Sequence, residues 1–199
     1  SVIYDTRFWR DSEGEVQANC DGERYGPYYY TRADIDEVQA YAAERHITVM
    51  PEFDIPGHIF SLLAAHPEFT CFPEHAAARI PRSVWVEEKD VLCVGNPEAI
   101  RYFERIFDYL CEVFPSKTIG IGGDEVSRKR WKACPKCQAF MKRHGMKDEG
   151  ELQGWVASHF TRYLAKKGRR SLGWDEILDG GLADGAMVMS WRGPEGGIA

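Results

Sequence analysis

Four short apolar runs, each closing on carboxylates or tryptophan, constrain this chain more than any other feature. They read ITVMPEFD (47–54), TIGIGGDEV (118–126), RSLGWDE (170–176) and AMVMSWRG (186–193). None alternates strictly between apolar and polar residues. Strands of that kind lie in sheets covered on both faces. Stretches of helical period separate the runs. Thr31 is a helix cap, and Ile35, Val38, Ala42 and Ala43 recur at helical spacing through about Arg45. A short apolar helix is expected near Phe60 to Ala65, followed by a long loop rich in Pro and His. Asn96 and Pro97 open the next helix as cap and first residue. Its apolar stripe includes Ile100, Phe103, Phe107 and Leu110, and Pro115 ends it. Two short helical pieces flank Cys134-Pro135 and stop at Gly145. A further helix spans about Glu151 to Lys167, with Gly168 as its stop. Residues 1 to 30 have no sustained period and read as a long loop with at most one short strand.

Helix and strand thus alternate four times, which implies an α/β fold with parallel strands and right-handed crossovers. Two architectures fit, an open doubly wound sheet and a (β/α)8 barrel of the TIM type. No Gly-x-Gly-x-x-Gly turn follows a strand, so a dinucleotide site is unsupported. The strand ends carry Glu52 and Asp54; Asp124 and Glu125; Trp174, Asp175 and Glu176; Trp191 and Arg192. Barrel enzymes build their sites from such ends, which favours the barrel. A whole barrel takes roughly 250 residues and eight strands. A chain of 199 residues with four strands reads as a partial barrel of about four central β/α units, with 1–199 part of a single domain.

The formal net charge of −6 disfavours nucleic acid and anionic membrane as partners. No apolar run reaches the roughly 20 residues of a membrane helix, and no signal peptide is visible at the N-terminus. Cys20, Cys71, Cys93, Cys111, Cys134 and Cys137 are too scattered for a disulfide framework. Only Cys134-Pro-Lys-Cys137 has a suggestive spacing, open to half a zinc site, a redox pair, a short disulfide or two plain thiols. A structural zinc needs four ligands, and no second CxxC exists.

Asp124 and Glu125 are the leading catalytic candidates. Neighbours on a regular strand point to opposite faces, so both reach one ligand only if the strand kinks. Gly122-Gly123 permits that kink. Converging carboxylates have their proton affinities pushed apart, giving an acid and an anion, the pair that glycoside hydrolysis uses. The plainer alternative is a surface Asp-Glu turn. His58, beyond the Pro56-Gly57 turn, is placed to orient a carboxylate or bind metal with Asp54 or Asp124; a histidine bonded to loop backbone is equally open. Trp174 and Trp191 offer aromatic faces for sugars, or simply core packing.

Taken together, PEFDIPGH (51–58), IGGDEV (121–126), GWDEIL (173–178) and MSWRG (189–193) resemble glycoside hydrolase family 20, the β-N-acetylhexosaminidases. The resemblance runs from about Tyr29 to the C-terminus, with the four strands similar to the third to sixth of the family barrel. It implies hydrolysis of terminal GlcNAc or GalNAc by a substrate-assisted retaining mechanism without metal or cofactor. It implies that Glu125 is the general acid/base, that Asp124 orients the 2-acetamido group, and that His58 supports the catalytic Glu. Trp174 and Trp191 match walls of the acetamido pocket, and Asp54, within the PEFDIPGH motif, is expected to bind substrate with them. The implied partners are N-acetylhexosamine-containing glycans, plus remaining barrel strands or a second copy of the chain. The implied location is secreted, periplasmic or lysosomal. The chain departs from the family pattern at Gly120, where relatives carry His. A non-catalytic carbohydrate-binding module and a metal-dependent hydrolase stand as alternatives.

Overall fold

The computed structural model describes residues 29–73, 91–181 and 184–198, and the backbone of four short strands before them. The chain forms two compact units, Ser1–Ile47 and Thr48–Ala199.

In the first unit, β1 (Ile3–Tyr4), β2 (Phe8–Arg10), β3 (Val16–Ala18) and β4 (Arg24–Tyr25) form two antiparallel pairs, β1 with β4 and β2 with β3. This corrects the expectation of a loop with at most one strand. Strands of two or three residues are too short to show a period of two. Helix α1 (Arg32–Ala43) starts at Thr31 as expected, in a reciprocal cap. Asp34 N–H donates to Thr31 Oγ1 at 3.2 Å, and Thr31 N–H donates to Asp34 Oδ2 at 2.7 Å.

The second unit follows the expected alternation. Helix α2 (Phe60–Ala65) leads into a 3-10 turn, Pro67–Phe69. Then come α3 (Pro97–Val113), β5 (Thr118–Gly122), α4 (Lys129–Ala133), α5 (Pro135–His144), α6 (Glu149–Ala165) and β6 (Arg170–Trp174). A 3-10 turn at Asp175–Leu178, β7 (Met187–Met189) and a 3-10 turn at Pro194–Gly197 complete it. The sheet is parallel, in the order β5-β6-β7. Asn96 caps α3 by accepting from Glu98 N–H at 3.0 Å, with Pro97 at the first position.

The run at 47–54 is not a full strand. It runs parallel to β5 through a single bridge, Glu52 to Gly120, and three backbone bonds. Gly120 N–H donates to Pro51 O at 2.8 Å, Phe53 N–H to Gly120 O at 3.1 Å, and Ile55 N–H to Ile121 O at 3.0 Å. Residues 51, 53 and 55 therefore face β5, and Pro51 has no N–H to extend the ladder backwards. The Thr118 carbonyl, next in that ladder, accepts instead from the Ser116 hydroxyl at 2.8 Å.

Alternation along β5 sorts the two faces of the sheet. Ile119 and Ile121 are buried in the core with Phe103, Phe107 and Phe160. Phe53 meets Phe103 and Phe107 edge-on, with centroids 5.6 and 6.5 Å apart. Gly120 and Gly122 face the other way, towards Glu52 and Asp54.

Candidate active site

The end of β5 is kinked, as Gly122-Gly123 suggests. Gly122 has φ 65° and Gly123 φ 101°, both in the left-handed region. The register against β6 also shifts between Gly120 and Gly122. The approach is close: a Cβ on Gly122 would fall 1.8 Å from Asp54 Oδ1. The kink is gripped from two sides. Gly123 N–H donates to Asp54 Oδ1 at 2.9 Å. Gly123 O accepts from Gln153 Nε2, also at 2.9 Å. Gln153 is itself fixed by Arg128, whose Nε and Nη2 donate to its Oε1 at 3.1 and 2.9 Å.

This kink brings the expected polar residues together. His58 Nε2 lies 3.4 Å from Asp124 Oδ2 and 3.3 Å from Glu125 Oε2. His58 and Glu125 both have positive φ, 52° and 49°, a conformation costly for side-chain-bearing residues and concentrated at functional sites. Glu125 is exposed, whereas Asp124 is only partly so. Asp124 Oδ1 is buried and accepts from no N–H or hydroxyl.

Among these carboxyls, burial sets Asp54 apart. Burial pushes the Asp54 carboxyl up to about 8. Its hydrogen bond to Asp124 and the negative charges of Asp124 and Glu52 add to the rise, against the Gly123 N–H, which favours the anion. Sequence reasoning assigned the split to Asp124 and Glu125. The structure puts a third carboxyl, neutral at pH 7, against the Asp124 carboxylate. Asp54, His58 and Asp124 offer ligand atoms within 4.8 Å of one another, so a cation fits that trio geometrically. The proton on Asp54 provides the same charge relief without one.

The space at Gly120 is taken. A Cβ there would lie 2.7 Å from both Cβ and Cγ of Glu52 and 2.8 Å from Glu52 Oε2. Glu52, bridged to Gly120, fills the space that a side chain at position 120 would need.

Trp174 and Trp191 lie at the same end of the sheet. Gly173 is level with Gly122, and Trp174 with Met189, two residues before Trp191. Trp174 is half-buried, and Trp191 is 52% exposed. Trp191 Nε1 donates to Glu176 Oε2 at 3.0 Å. Among the described residues, no hydrogen bond joins either indole to Asp124 or Glu125. An open cleft of about 420 Å³ begins at Glu125 and is lined further by Arg128, Gln153, Glu176 and Asp179. It touches the acid/base candidate but neither tryptophan, so we locate the site by the converging side chains.

Two supporting residues, Gln153 and Arg128, escaped sequence reasoning, and Arg192 was read only as a strand-end residue. Arg192 Nε donates to buried Asp175 at 3.1 Å and its Nη2 to Asp179 at 3.1 Å, tying the β6 turn to the chain after β7. Gln153 left a readable signal. It is in phase with Ala157, Phe160 and Leu164 on the buried face of α6, and it is only 2% exposed. A glutamine on such a stripe needs a buried partner.

Comparison with known proteins shows the family. The model of glycosyl hydrolase family 20, catalytic domain, matches residues 7–199. A β-hexosaminidase of Porphyromonas gingivalis is 44% identical over 186 residues, covering 94% of this chain and 23% of the relative. The chitobiase structure of Flavobacterium johnsoniae has TM-score 0.76 at 38% identity, over 85% of this chain and 25% of that one. An exo-β-N-acetylglucosaminidase from Vibrio harveyi, solved with N-acetylglucosamine, has TM-score 0.75 at 30% identity, over 88% and 27%. The chain spans about a quarter to a third of the length of the curated relatives it matches. The likeness to these structures gives a TIM-barrel-type fold, and the described residues form an α/β piece with a three-stranded parallel sheet. The chain belongs to the catalytic domain of glycosyl hydrolase family 20.

Proposed function

We propose that this chain carries the acid/base machinery of a β-N-acetylhexosaminidase that removes terminal GlcNAc or GalNAc from glycans. Residues 1–199, with about four central β/α units, would be part of a single barrel domain. The observation that carries the reading is the convergence of Asp54, His58, Asp124 and Glu125 beyond one kinked strand end.

In the reaction, the carbonyl oxygen of the substrate's 2-acetamido group attacks its own anomeric carbon. Glu125 gives its proton to the glycosidic oxygen, which leaves as an alcohol. Asp124 stays anionic, accepts from the acetamido N–H and stabilises the positive charge of the oxazolinium. Water then attacks the anomeric carbon as Glu125 takes its proton, and the configuration is retained. The carboxylate nucleophile of the two-carboxylate scheme is not needed. His58, within 3.4 Å of both carboxylates, positions them. Asp54, its carboxyl raised by burial, lies beside Asp124 and holds the Gly123 N–H of the kink. Trp174 and Trp191 supply flat apolar walls for the sugar.

The test is turnover of a chromogenic N-acetylglucosaminide by the full chain. We expect Glu125→Gln to lose at least about a hundredfold in kcat, within the usual weight of a general acid. Asp124→Asn should be nearly as damaging. Equal activity of Glu125→Gln and wild type would remove Glu125 from its role, and a mild Asp124→Asn would refute substrate assistance. Glu52 in the space at Gly120 favours a second reading, carbohydrate binding without turnover. Saturable N-acetylglucosamine binding by an inactive wild type would support it.

A further inference from the structure

Away from the carboxylates, four cysteine sulfurs meet at one point. Cys71 follows the Pro67–Phe69 turn, Cys93 lies in the loop before α3, Cys134 caps α5, and Cys137 stands in its first turn. The Sγ–Sγ distances are 3.8 Å for Cys71–Cys137, 3.8 Å for Cys93–Cys134 and 3.9 Å for Cys93–Cys137. All four sulfurs lie within 4.8 Å of one another. Cys93, Cys134 and Cys137 are buried and Cys71 is half-buried.

These distances discriminate between the chemistries that the CxxC spacing left open. A disulfide brings its sulfurs to about 2.05 Å, and all four cysteines are free. Four thiolates about 2.3 Å from one zinc ion, at the corners of a tetrahedron, stand about 3.8 Å apart. The three closest edges match that figure. A fold that merely buried four thiols has no reason to converge them from separate segments.

The backbone around the sulfurs is also built for close approach. A Cβ on Gly95 would lie 2.3 Å from the carbonyl carbon and oxygen of Lys136 and 2.6 Å from Cys137 N. Only glycine lets the Cys93 loop rest on the peptide between the paired cysteines. The loop is then pinned. Trp131 Nε1 donates to Leu92 O at 2.8 Å. Cys93 N–H donates to Phe69 O at 2.8 Å, and Asn96 Nδ2 to Glu68 O at 2.9 Å. Cys71 and Cys93 thus supply the second pair of ligands, in place of a second CxxC.

We propose that Cys71, Cys93, Cys134 and Cys137 hold one zinc ion in a four-thiolate structural site. Each thiol loses its proton on binding. The closed coordination leaves no position for water or substrate, so the ion acts on stability and not on catalysis. It ties the loops before α3 to the start of α5. One of those loops reaches the active-site turn, because Leu92 N–H donates to Pro56 O at 2.9 Å.

The experiment is metal analysis of the full chain, expressed with added zinc and purified without chelator. Mass spectrometry of the metal should find about one zinc per folded chain. Cys93→Ser and Cys137→Ser should lose it, and His58→Ala should keep it, which separates this site from the Asp54–His58–Asp124 trio. Cobalt(II) replacement in the wild type avoids any folding defect of the variants. It should give thiolate-to-metal charge-transfer absorption and the visible bands of a tetrahedral ion. A folded wild type without metal would overturn the proposal, as would cobalt lacking a sulfur band. An intact mass showing disulfides among the four cysteines would do the same.

Discussion

At the residue scale, Asp54 is the group whose protonation matters most. In an unfolded chain its carboxyl titrates near about 4; folded, burial raises it to about 8. Between these values the folded state holds a proton that the unfolded state has lost. Stability therefore falls as pH rises through that window and levels off above it. Asp54→Asn keeps an acceptor for Gly123 N–H and offers an N–H to Asp124, so it imitates the protonated acid without titrating. We expect its melting temperature to gain on wild type by several degrees between about pH 5 and pH 8. Thermal scans at the two pH values decide the matter: parallel melting curves would mean that the buried proton is elsewhere.

At the scale of elements, the kink after β5 depends on a helix far away in sequence. Gln153 on α6 satisfies the Gly123 carbonyl and is held by Arg128. Gln153→Leu leaves a buried carbonyl without its donor, at a cost of about 2 kcal/mol. Urea unfolding should register that loss, and kcat should fall with it as Asp124 loosens. An unchanged denaturation midpoint would show the kink to be self-supporting. Helices were legible in the sequence where local chemistry determines them, as at Thr31, Asn96-Pro97 and Gly145. The strand expected at 47–54 was not, because its pairing depends on which way Pro51 faces. The carboxylate pair was legible from Gly122-Gly123. The third carboxyl's role was not, because it comes from burial, which no spacing encodes. The cysteine cluster was half legible: Cys134 and Cys137 announce themselves, whereas Cys71 and Cys93 are joined to them only by the fold.

At the scale of the whole molecule, the described sheet is open. Among the described residues β7 pairs with β6 on one side and with no strand on the other. Unpaired parallel edges are templates for further strands. The 199-residue chain by itself should therefore associate. Light scattering coupled to size exclusion would reveal this, and a monodisperse, cooperatively melting monomer would contradict it. The same openness leaves Trp191 exposed at the sheet end, where an additional strand or a sugar would cover it.

The contact between Gly122 and Asp54 also bears on how far this chain can vary. Gly122, Gly145 and Gly168 have nearly the same φ, 65°, 67° and 68°. Around Gly145 and Gly168 there is open space, so another residue there meets only the modest cost of a left-handed conformation. At Gly122 any side chain collides with the carboxyl that holds the buried proton. Two of these three glycines leave room for a side chain, and the third is frozen by the acid beside it.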